Sequence, residues 1–77
     1  MTPTLVASRP DYEPVQVAVH ALSPNRLLYA TSRMATKAIA HRLLDLDTCD
    51  FKLATGEVLA FLWIGADECA VFEPAAT

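Results

Sequence analysis

Between Glu57 and Gly65 the chain runs Val-Leu-Ala-Phe-Leu-Trp-Ile, seven apolar residues in succession with no helical period. Val58, Phe61, Leu62, Trp63 and Ile64 are β-branched, aromatic or bulky, and Thr55-Gly56 and Gly65 bound the run with turn residues. A short apolar run between turns reads as a strand buried on both faces. Alternation sends Val58, Ala60, Leu62 and Ile64 to one face and Leu59, Phe61 and Trp63 to the other. A sheet in a chain of 77 residues has its own helix to cover one of those faces. What covers the other bears directly on function.

Around this strand the remaining elements fall into order. Residues 1–14 read as an N-terminal arm, because Pro3, Pro10 and Pro14 argue against a central strand there, and Leu5-Val6-Ala7 is at most an edge strand. Residues 15–77 form a single α+β domain. Val15 to Leu22 alternates, with Val15, Val17, Val19 and Ala21 on one side, as in a half-buried strand. Ser23-Pro24-Asn25 turns the chain, and Arg26 to Thr31 returns as a second strand. Ser32 suits the N-cap of a helix ending near Leu44, whose apolar face carries Ala35, Ala38, Ile39, Leu43 and Leu46. Phe51 to Thr55 and Glu57 to Ile64 make a hairpin around Thr55-Gly56, and Cys69 to Glu73 comes back as the last strand. The order is ββαβββ: an antiparallel sheet of four to five strands with one helix packed across it.

Hydrophobic residues make up 53% of the chain and its mean hydropathy is +0.29, more apolar material than one small core hides easily. That excess favours a partner or a homodimer. Net charge is −3, unevenly spread. Residues 1–44 hold Arg9, Arg26, Arg33, Lys37 and Arg42 against Asp11 and Glu13, whereas residues 45–77 hold Lys52 against seven carboxylates. An acidic total argues against general affinity for nucleic acid, and the two-ended distribution suits orientation on a charged partner. No charged segment followed by an apolar stretch opens the chain, and seven apolar residues fall far short of the ~20 that span a bilayer. The expectation is a cytoplasmic protein away from membranes.

The motifs point away from catalysis. Asp45 to Asp50 is rich in carboxylates, but a calcium loop starting at Asp45 needs glycine and glutamate where Asp50 and Gly56 stand. Cys49, Cys69, His20 and His41 lack metal-ligand spacing, and the cysteines read as small buried thiols in a reducing compartment. Glycine occurs only at Gly56 and Gly65, both in turns, so no phosphate-cradling loop exists. No metal, cofactor or catalytic residue is expected, and the chain reads as no enzyme. Two binding surfaces remain. Arg33, Lys37 and His41, with Arg42 beside them, form a basic stripe on the helix that contacts an acidic protein or phosphates, unless it is simply a solvated face. Tyr29, Phe61 and Trp63 are aromatics that would join it in partner binding.

The segment Leu27 to Ile64, in which a strand ends at Ala30-Thr31, Ser32 caps an alanine-spaced helix and a hairpin carrying Phe61-Leu62-Trp63 follows, resembles the arrangement in small phage-encoded inhibitors of the anti-CRISPR type. The resemblance implies a protein that blocks a host nucleoprotein complex by occupying one of its binding surfaces. The expected function is thus a non-enzymatic protein-binding module, with a nucleic-acid-binding accessory protein using the helix stripe as the alternative. Leaving Leu59, Phe61 and Trp63 in water forfeits several kcal/mol at about 1.5–3 kcal/mol each, so a homodimer is expected with Phe61 or Trp63 near its interface.

Overall fold

A computed structural model describes residues 2–22 and 28–75. It contains strands β1 (Thr4–Ser8), β2 (Val15–Ala21) and β3 (Tyr29–Thr31), helix α1 (Arg33–Leu43), a single 3-10 turn (Leu46–Thr48), and strands β4 (Asp50–Leu53), β5 (Val58–Ile64) and β6 (Ala70–Pro74). The six strands close into an antiparallel barrel in the order β1-β2-β3-β6-β5-β4. Each half of the chain makes a three-stranded meander, and the β3–β6 and β1–β4 pairings join the two.

The expected open sheet of four to five strands is therefore wrong, and the arm is the reason. Thr4–Ser8 is hydrogen-bonded on both sides, to β2 from Thr4↔Ala18 to Ala7↔Val15 and to β4 from Leu5↔Leu53 to Ser8↔Asp50. Pro3 and Pro10 flank this strand without entering it, so every strand residue keeps the N–H that a two-sided ladder needs. With that sixth strand no face of the sheet is left for a helix to lie across. The inner face closes on itself, as in any barrel this narrow, where side chains fill the interior.

Alternation along each strand supplies that filling: Leu5 and Ala7 from β1, Val15 and Val19 from β2, Phe51 and Leu53 from β4, Leu59 from β5, Ala70 and Phe72 from β6. Phe72 is fully buried, its ring centroid 4.8 Å from that of Phe51 and 5.7 Å from that of Phe61. Ser32 caps α1 as expected, its hydroxyl accepting from Ala35 N–H at 3.1 Å. The helix plugs the barrel with Ile39 and Leu43, and Leu46 follows from the 3-10 turn. Arg9, reaching over from the β1–β2 connection, donates to the Leu43 carbonyl at 2.7 Å, one of the oxygens a helix end leaves unpaired.

A buried hydroxyl cluster ties α1 to the barrel. Thr36 donates to the Ser32 carbonyl at 2.8 Å, which commits its one proton. Thr31 must then donate in the 2.7 Å contact between the two hydroxyls, while the Ala70 N–H donates to both oxygens at 3.1 and 3.3 Å. The β4–β5 turn pivots on Gly56, whose φ of +103° is a conformation other residues rarely adopt. The turn expected at Ser23-Pro24-Asn25 and the start of the returning strand at Arg26 lie outside the described residues. No helix among the described residues is long and apolar enough to cross a membrane.

Candidate interaction surface

The strand read as doubly buried is buried on one face and for part of its length. Leu59 is 4% exposed, but Val58 is 58%, Trp63 51% and Ile64 48% exposed. A bulge causes the change. Phe61 pairs with Phe72 and Trp63 with Val71, so β5 advances two residues while β6 advances one, and Leu62 is the extra residue. Because Phe72 and Val71 point to opposite sides, the bulge separates Phe61 from Trp63. Phe61 joins Phe51 and Phe72 in the core, and Trp63 turns to the outer wall. The face expected to carry Leu59, Phe61 and Trp63 together does not exist; the barrel itself covers the first two.

Register places Trp63 at the end of an outer row, Trp63–Val71–Ala30–His20, running over β5, β6, β3 and β2. Val71 and Ala30 are buried although they stand apart from the core cluster, so Trp63, Val71 and Ala30 make an apolar stretch on the outer side of the barrel, with exposed His20 at its far end. Ile64, paired with the core residue Ala70, points to the other side of the strand from Trp63, at the helix end of the barrel. There Thr36, Lys37 and Ala40 of α1, with Ile64 and Glu68, line an open groove of about 210 Å³. A second cavity of about 210 Å³ opens at the other end of the same half-strand, between the 3-10 turn and β4–β5, with Asp47, Cys49, Asp50 and Phe61 in its wall.

The basic stripe is present but partly compensated. Arg33 and Lys37 both converge on Glu68, the former in direct contact and the latter at 3.5 Å, with all three side chains about half exposed or more. Such exposed pairs are worth about 0–1 kcal/mol, so they set local charge more than stability. His41 and Arg42 are exposed in the last turn, where a helix end favours cations. Tyr29 is half-buried and packs against the core, so of the three aromatics expected to meet a partner only Trp63 stands outside. Sequence reasoning missed Ile64 and the groove beside it, since neither residue type nor spacing marks a bulge inside an uninterrupted apolar run.

Both cysteines are free and half-buried. The Cys49 thiol donates to the Asp45 carbonyl at 3.2 Å. Burial pushes it above its ordinary value, Asp45 and Asp50 add to the rise, and Arg9 opposes it. A thiol held protonated is a weaker nucleophile than one free to ionise. Comparison with protein-family models, curated proteins and solved structures finds no match for this chain.

Proposed function

We propose that the chain is a small non-enzymatic protein-binding module whose contact surface is the bulged half of β5 with the adjoining groove on α1. The observation that carries this reading is the outward turn of Trp63, next in the chain to Ile64, which lines the groove from the other face of the strand. A bulge that brings a tryptophan into water, at the end of an apolar stripe, leaves an amphipathic ring of the kind that anchors protein interfaces. Lys37 and Glu68 supply a polar rim. Occluding a host complex, as the resemblance to phage inhibitors implies, is a task such a surface suits.

The nucleic-acid alternative has less behind it. Glu68 takes up Arg33 and Lys37, and Tyr29 and Phe61 face the core, so the helix stripe lacks the stacking platform that single-stranded ligands use. A pull-down from nuclease-treated lysate tests the proposal. A protein captured by the wild-type chain, retained at high salt and lost with Trp63→Ala, is the expected result. Capture that disappears with nuclease or falls steeply with salt would favour phosphate contacts and overturn it.

A further inference from the structure

The ladder between β4 and β5 stops early. The two strands pair only at Phe51↔Leu59 and Lys52↔Val58, whereas β6 follows β5 up to Ile64. From Ala60 to Ile64, β5 therefore has a strand on one side and, among the described residues, none on the other. The barrel closes through the lower half of β5 and leaves the upper half as an edge.

Three backbone bonds say which groups that edge presents. Leu53 N–H donates to the Glu57 carbonyl at 2.8 Å, which makes Leu53–Glu57 a hydrogen-bonded pair and, two residues on, Phe51–Leu59 another. The next residue of this set is Phe61, whose N–H and C=O point the same way, beyond the end of the β4 pairing. Ala75 N–H donates to the Val58 carbonyl at 2.9 Å, in agreement: the groups of Val58 and Ala60 face β6, those of Leu59 and Phe61 face away. Past the bulge, Gly65 N–H donates to the Cys69 carbonyl at 2.9 Å, so Gly65 and Trp63 face β6 and Ile64 faces away. The open edge thus offers the backbone donors and acceptors of Phe61 and Ile64, on the half of the strand where Trp63 and Ile64 are exposed.

We propose that this edge pairs antiparallel with the same edge of a second copy, Phe61 of one chain opposite Ile64 of the other. The inference rests on the reading of the bulged half of β5 as a protein-contact surface and names its partner. Charge complementarity selects the second copy. Asp47 and Asp50 stand in the cavity at the Phe61 end, whereas at the Ile64 end Lys37 and Glu68 line the groove and Arg33 pairs with Glu68, which leaves one positive charge in excess there. A two-fold axis between Leu62 and Trp63 sets the acidic end of each copy against the basic helix of the other. Parallel pairing would place like charges together. A contact of five residues a side falls below the roughly 1,200 Å² of a standard interface, so the dimer is weak and forms with rising concentration.

Sedimentation across the micromolar range reads the proposal directly. The average mass rises from 8.4 kDa towards twice that value. Lys37→Glu lowers the association constant by about threefold to tenfold, as does the double variant Asp47→Lys with Asp50→Lys, and mixing the two variants restores pairing. Ile64→Pro removes one edge donor while leaving the β6 ladder its bonds, and abolishes association. Should that variant fail to fold, amide exchange in the wild type still decides: the Phe61 and Ile64 amides exchange more slowly as concentration rises. A mass fixed at 8.4 kDa, or exchange independent of concentration, overturns self-pairing. A chain that stays monomeric yet loses its lysate partner with Trp63→Ala overturns self-pairing alone, and leaves the contact surface to a foreign protein.

Discussion

Phe61 and Trp63, two residues apart on one strand, should respond very differently to truncation. On a regular strand they would share a face and lose comparable burial. Here the bulge at Leu62 sends Phe61 into an aromatic trio, with Phe72 at 5.7 Å and Phe51 at 6.2 Å, and sends Trp63 outside with half its surface in water. Removing a core phenylalanine costs about 3–5 kcal/mol. Since Phe61 is only partly buried, Phe61→Ala should sit at the lower end, about 3 kcal/mol, a figure that includes its ring contacts. Trp63 has no described ring partner, so Trp63→Ala should cost about 1 kcal/mol. For 77 residues total stability is about 4–11 kcal/mol, so the first variant is near the edge of folding and the second is not. Urea unfolding followed by circular dichroism measures both, because the only tryptophan is lost in one of them. With a slope of about 1 kcal/mol/M the two midpoints should differ by about 2 M. Low concentration keeps self-association out of the comparison. A Trp63→Ala variant destabilised as much as Phe61→Ala would refute the bulge and the outward tryptophan with it.

Thr36→Val keeps the shape of a buried side chain but deletes the oxygen that Thr31 and the Ala70 N–H share; a loss of about 1–3 kcal/mol is expected in the same urea assay, with Thr36→Ser close to wild type. The thiols predict the alkaline limb of stability. Burial is the first cause of the rise at Cys49 and also at Cys69, where Asp67 adds to it. Folded chains then hold protons that unfolded chains release above the ordinary thiol value of 9.0, so stability falls as pH rises through and beyond that value. Cys49→Ser and Cys69→Ser should flatten this limb, and Cys49 in the folded protein should react with iodoacetamide at pH 8 more slowly than in urea.

Much of the element order was legible because it rests on local chemistry. Ser32 caps the helix, Gly56 takes a positive φ in the β4–β5 turn, and Val15, Val17 and Val19 alternate with the exposed Gln16, Ala18 and His20, each a signal contained within a few residues. What was not legible depends on pairing partners far away in sequence. The prolines around Thr4–Ser8 looked like strand breakers, yet they stand outside the five residues that pair, and nothing local says that β4 lies on the other side. The bulge hid for a different reason: seven apolar residues offer no polar position whose misplacement would reveal a shift of register. The candidate site shared both difficulties. The charges at Arg33 and Lys37 were visible, but Glu68, which gathers them, is 31 residues beyond Lys37 and reaches them only through the fold.

The open half-edge follows from unequal strand lengths. β4 has four residues and β5 has seven, and the 3-10 turn that precedes β4 takes the chain away before Ala60 finds a partner. A flat, apolar edge is a template for unlimited association, which proteins blunt with bulges and nearby charge. Both devices are present: Leu62 breaks the regular spacing, so that the groups of Phe61 and Ile64 lie three residues apart along the edge, and Asp47, Asp50 and Lys37 flank its ends. An arriving strand with even two-residue spacing matches only one of the two positions. A copy of the same bulged segment, turned about a two-fold axis, has the same irregular spacing and matches both. On the proposed self-pairing, the feature that guards the edge against arbitrary strands would also make it specific for its own likeness, and a pair formed there would leave neither copy's half of β5 open.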